Sequence, residues 1–138
     1  MIKRADLTPL EAAEQLAALS PQTRARFQQW KACSGPDERR QPYAAFQVIG
    51  EAIASKRNAP SPAQMKSLFA FAERLLQERD GDVANMVATS MLEALWAAAR
   101  GSGFDFRIVD PHLGPVARGY LVAWDAFNKT QTPGLTGC

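Results

Sequence analysis

Asp82-Val83-Ala84-Asn85-Met86-Val87-Ala88-Thr89-Ser90-Met91-Leu92-Glu93-Ala94-Leu95-Trp96-Ala97-Ala98-Ala99-Arg100 decides the fold class. The stretch holds no Gly or Pro and is rich in Ala, Leu and Met, which lose least on entering a helix, so it predicts one helix throughout. At about 100° per residue Val83, Val87, Met91, Ala94 and Ala98 align, and Ala84, Ala88, Leu92, Leu95 and Ala99 widen that row to roughly half the circumference. A stripe that wide needs packing partners on more than one side, which makes this the expected central helix. The remaining strip carries Asn85, Thr89, Glu93 and Arg100 at steps of four and seven, with Trp96 among them. It is the part of the helix suited to polar work.

Upstream, Ser61-Pro62-Ala63-Gln64 is a capping box, and Met65, Leu68, Phe69, Ala72, Leu75 and Leu76 recur at threes and fours. Arg79-Asp80-Gly81-Asp82 then turns the chain, with Gly81 as a left-handed cap and Asp82 as the N-cap of the central helix. The fourth and fifth helices are therefore expected as an antiparallel hairpin. Earlier starts use the same chemistry, an acceptor followed by Pro: Thr8-Pro9 with Glu11, Ser20-Pro21 and Gln41-Pro42. The first helix should bury Leu10, Ala13, Leu16 and Ala17, and the second should set Phe27 and Trp30 on one side and stop at Gly35-Pro36. Asp37-Glu38-Arg39-Arg40 reads as a charged connection. The third helix should bury Ala45, Ile49, Ala52 and Ile53; Gly50 within it costs about 1 kcal/mol relative to Ala, which points to a close helix crossing.

Downstream, Phe104-Asp105-Phe106-Arg107-Ile108-Val109 alternates at period two but has no partner strand. It reads as an extended connection laying Phe104, Phe106 and Ile108 over the core. Pro115 opens a sixth helix with Val116, Tyr120, Ala123, Trp124 and Phe127 as its buried row. The expected fold is all-α, a single bundle of about six helices over residues 1–128, with 129–138 a disordered tail of Thr, Gln, Pro and Gly.

A chain of 138 residues suits one domain that needs no disulfide. Its 46% apolar and 22% charged residues are ordinary for a globular protein, and a net charge of +2 is too small to imply a nucleic-acid partner. Residues 1–70 hold ten Lys or Arg against six acids and residues 71–138 hold six against eight, so the halves carry +4 and −2. Met1-Ile2-Lys3-Arg4-Ala5-Asp6 is not followed by an apolar run, and no segment approaches the roughly 20 apolar residues of a membrane span. With only Cys33 and Cys138, a cytoplasmic protein in a reducing compartment is expected.

Motifs for bond-making chemistry are missing: there is neither a G-x-S-x-G elbow nor a phosphate loop, and Gly101-Ser102-Gly103 follows a helix as a stop. His112 is the single histidine, so a zinc site would have to recruit Cys33, Cys138 and distant carboxylates. Cys33 is better read as a small apolar residue than as a nucleophile beside His112. No catalytic residue, metal or cofactor is therefore expected. Arg24, Arg26 and Lys31 interleave with Phe27 and Trp30, but those aromatics fit the buried side of a helix as well as a nucleic-acid surface. Glu78, Asp80 and Asp82 cluster at the hairpin tip, either solvated or as an acidic contact patch. Asn85, Thr89 and Glu93 either anchor neighbouring loops or, with Trp96, line a groove that recognises another protein.

Asp82-x-x-Asn85-x-Val87-Ala88-Thr89-x-x-Leu92-Glu93-x-Leu95, after an amphipathic helix and an acidic Gly turn, resembles the hairpin of a family of small, uncharacterised bacterial helical proteins. It also resembles one HEAT-type repeat. The likeness covers roughly Met65 to Leu95 and implies an immunity-like role, in which the chain binds and neutralises a toxin by occlusion. On that reading Glu78, Asp80, Asp82, Asn85, Thr89, Glu93 and Trp96 are the partner contacts. A regulatory or scaffolding helical module and an enzyme of unrecognised type are the alternatives.

Overall fold

The computed structural model describes residues 7–78, 81–101 and 103–136. Among them there is no strand, and the helices are α1 (Pro9–Ala17), α2 (Pro21–Cys33), α3 (Pro36–Arg40), α4 (Tyr43–Ile53), α5 (Pro62–Leu76), α6 (Asp82–Met86), α7 (Glu93–Gly101) and α8 (Pro115–Phe127). A π-helical segment, Val87–Leu92, joins α6 to α7, and 3-10 turns at Phe106–Ile108 and Asp110–His112 lead into α8. Eight α-segments replace the expected six for two reasons. Pro36 fixes a helical φ and Glu38 reaches back to the Gly35 N–H at 3.1 Å, so the charged connection coils into α3. The central helix, expected as one rod, changes pitch at the π segment.

The helix starts match the sequence closely. The Glu11 N–H donates to Thr8 Oγ1 at 3.1 Å and the Thr8 N–H to Glu11 at 3.0 Å; Gln64 and Ser61 exchange the same pair of bonds at 3.2 and 2.8 Å. Ser20 caps α2 by accepting the Thr23 N–H at 3.1 Å, which fixes the sharp corner after α1. Two positions shift by one residue. Pro42 is the N-cap of α4 rather than its first helical residue, and Gly81, at φ 53°, is the N-cap of α6, leaving Asp82 in the first turn.

One apolar cluster runs from Leu7 to Leu121 and fully buries Phe27, Phe46, Phe69, Phe106, Ile49 and Met91. Each such side chain contributes roughly 1.5–3 kcal/mol. α4 sits in the middle, packed against α2, the π segment and α7, so the central helix packs on α4 as well as on α5. Gly50 is the reason: a Cβ there would lie 2.7 Å from the Met91 carbonyl oxygen and 3.1 Å from Ala94 Cβ. The close crossing expected at Gly50 is present, and it falls against the widened turn.

Three expectations beyond the central helix are corrected. The connection after α7 winds as 3-10 turns rather than extending, so Phe104, Phe106 and Val109 are buried while Ile108 is 47% exposed. α8 is rotated from the expected row: Ala117, Leu121 and Asp125 point inward, Tyr120 and Trp124 are half-buried, and Val116, Ala123 and Phe127 are exposed, Phe127 at 76%. Residues 129–136 fold back as a strap instead of forming a disordered tail, with Thr132 buried. No described helix is long and apolar enough to cross a membrane.

Candidate functional site

The inward turn of Asp125 organises the outer face of α7 and α8. Its carboxylate accepts the Trp96 indole N–H at 2.7 Å, the Thr132 N–H at 2.8 Å, the Thr132 hydroxyl at 2.7 Å and the Thr130 hydroxyl at 3.0 Å. Burial pushes the carboxyl up, but these donors outweigh it and hold Asp125 below the usual aspartate range. A second carboxylate secures the end of the strap. Asp110 accepts from Arg118 at 2.7 Å and from the Thr136 N–H at 2.9 Å, and it too ends below its ordinary value although burial opposes this.

With Ala117, Leu121 and Asp125 facing inward, helical geometry sets Tyr120 and Trp124 half-buried on the flank of α8 and turns Phe127 outward. They form a ladder: Tyr120 and Trp124 lie 6.3 Å apart at 8°, and Trp124 and Phe127 lie 5.5 Å apart at 10°. Trp96 meets Trp124 edge-on at 6.1 Å, and the Arg100 guanidinium stands 5.4 Å from the Trp96 ring. The Tyr120 hydroxyl donates to Glu93; burial first, then that bond and the carboxylate's charge, push the phenol well above its ordinary value. The Trp124 indole N–H is buried and has no hydrogen-bond partner among the described residues.

The expected contact strip is thus divided. Asn85 donates to the Tyr43 hydroxyl at 3.2 Å, facing α4, whereas Glu93 and Trp96 are committed to α8. The π segment causes the split, because a wider turn between positions 87 and 92 rotates α7 relative to α6 and breaks the four-residue alignment. Thr89 bonds the Asn85 carbonyl at 2.7 Å and, with Gln47, Ser90 and Glu93, borders a depression of about 280 Å³. Glu78 is half-buried, Asp82 is exposed, and Asp80 lies outside the described residues. The face of α8 was missed because an apolar row containing Asp125 looks like the wrong side of a helix. The Thr residues that satisfy it and Asp110, at 130, 132 and 136, were the available signal.

Glu73 was also missed, since it sits among the apolar residues of α5. It is 8% exposed and accepts the Val116 and Ala117 N–H groups at 2.8 and 3.0 Å, capping α8 from another helix. A Cβ at Gly114 would lie 2.4 Å from the Glu73 side chain, so a larger residue there would have to displace this cap.

The basic residues of α2 are engaged in pairing: Arg26 with Glu51 at 3.0 Å, Lys31 with Glu14 at 3.4 Å, and Arg24 with the Ala18 carbonyl at 3.0 Å. Phe27 beneath them is fully buried and packs at 5.7 Å against the half-buried Trp30. Cys33, expected to be partly buried, is an exposed free thiol at the end of α2, whereas His112 lines a groove beside α5 that Cys33 does not reach. Among the described residues, no three of His, Cys, Asp and Glu gather as metal ligands.

Fold and site together define an all-helical protein with an aromatic face held outward by a buried aspartate. Residues 13–129 match the model of the family described as Domain of unknown function (DUF7674), and the chain belongs to that family. No curated protein and no solved structure matches it.

Proposed function

We propose that this protein is a non-enzymatic binder of another protein, acting through the ladder on α8, and that its most specific form is an immunity protein that occludes a toxin. The ladder carries the reading. Phe127 is 76% exposed and stacks on the half-buried Trp124, which stacks in turn on Tyr120, with Arg100 over the neighbouring Trp96, the composition in which binding energy concentrates at interfaces. Glu93 and Trp96 act as supports behind the contact, while Asn85 faces α4 and Thr89 borders the depression it shares with Glu93. The α5–α6 pairing supports the HEAT-like comparison, and the free Cys33 thiol suits the cytoplasm.

The test is to express the gene adjacent to this one, alone and together with this protein, and to score growth. Toxicity relieved by co-expression is expected; absence of toxicity, or toxicity that persists, removes the immunity reading. With a partner in hand, Phe127→Ala and Trp124→Ala should each weaken binding at least tenfold through faster dissociation. Unchanged affinity in both would place the contact elsewhere.

A further inference from the structure

We propose that the groove between α5 and the turn leading into α8 binds an extended acidic peptide segment with two carboxylates four residues apart. The groove holds about 550 Å³, within the range of ligand sites, and is lined by Lys66, Ala70, Glu73, Arg74, Pro111 and His112, among others. It is separate from the aromatic ladder and does not rest on it.

Charge selects the occupant. Among the described acids nearly all are engaged, from Glu11 on the Thr8 N–H to Asp125 on the strap, and only Asp82 lacks a partner. Lys66 and Arg74, by contrast, form no ion pair or hydrogen bond within the described residues, and neither does the His112 side chain. The one acid in the groove, Glu73, does not neutralise them: its oxygens are directed at the α8 N–H groups at 2.8 and 3.0 Å and at the Gln77 amide at 3.3 Å. Two cations and an imidazole therefore face solvent over small, flat side chains.

Spacing selects the form. Lys66 and Arg74 are eight residues apart on one helix, which separates them by about 12 Å along the axis at 1.5 Å per residue. That is too far for one small anion to contact both at full strength. An extended chain rises about 3.3 Å per residue and returns to the same side every second residue, so acids at i and i+4 stand about 13 Å apart facing one way. His112, across the groove, can donate to the backbone between them.

The experiment uses the full chain and three probes: a peptide with two glutamates separated by three alanines, the same peptide with glutamines, and inorganic phosphate. Amide and side-chain NMR shifts should map the glutamate peptide to Lys66, Arg74 and His112. The glutamine peptide should bind at least tenfold more weakly. Raising salt from 50 to 300 mM should weaken the glutamate peptide by about fivefold. Lys66→Gln with Arg74→Gln should abolish the shifts without moving the thermal midpoint, both side chains being exposed. Three results would overturn the proposal: no shift at the groove, equal binding of the glutamine peptide, or saturation by phosphate with the same shifts. Phe127→Ala should leave this binding intact, so failure here and failure of the ladder reading are distinguishable.

Discussion

Asp125 shows how one side chain sets the orientation of a helix. Four donors converge on its carboxylate, three of them from the strap, and the energy of satisfying a buried charge outweighs leaving Phe127 in water. Asp125→Asn should therefore cost about 1–3 kcal/mol in urea unfolding and shift the emission of Trp96, whose indole loses a charged acceptor. The pH dependence has a definite sign. Asp110 and Asp125 are both held below their ordinary values, so their contribution is complete above the unfolded pKa of about 3.9 and disappears as pH falls through the lower folded values. Thermal midpoints of the wild type and the Asp110→Asn, Asp125→Asn double variant should differ at pH 6 and converge near pH 2. A gap that closes between pH 6 and 5 would contradict this assignment.

Between elements, α4 crosses the central helix at close range at Gly50. Ala is a better helix former than Gly by about 1 kcal/mol, so propensity alone favours Gly50→Ala. The crossing reverses that sign: the new methyl would meet the Met91 backbone carbonyl at 2.7 Å, and a carbonyl cannot rotate aside as a flexible side chain does. A net loss of about 1–3 kcal/mol is expected in chemical denaturation. A stabilised Gly50→Ala variant would show that the π segment tolerates displacement. The π segment itself left no trace in residue types, because Val87–Leu92 contains neither Pro nor Gly.

For the molecule as a whole, the strap is part of the fold. Removing residues 129–138 would deprive Asp125 of the Thr130 and Thr132 donors, deprive Asp110 of Thr136, and uncover the surface beneath Leu135. A chain ending at 128 should lose about 1–3 kcal/mol for each carboxylate left short of donors and unfold at a lower urea midpoint. An unchanged midpoint would return 129–138 to the status of a dispensable tail.

Sequence by itself determined what depends on near neighbours: the all-helical class, the boxes at Thr8 and Ser61, the corner at Ser20, the inward rows of α1, α4 and α5, and the close crossing at Gly50. These arise from periodicity and from backbone donors satisfied within a few residues. Only the tertiary structure decided which face of α8 turns inward, where the central helix widens, and what Glu73, Asp110 and Asp125 are for. The three carboxylates depend on partners 5 to 44 residues away, such as Thr130 for Asp125 and Ala117 for Glu73, and a buried carboxylate is indistinguishable from a solvated one until its donors are in place.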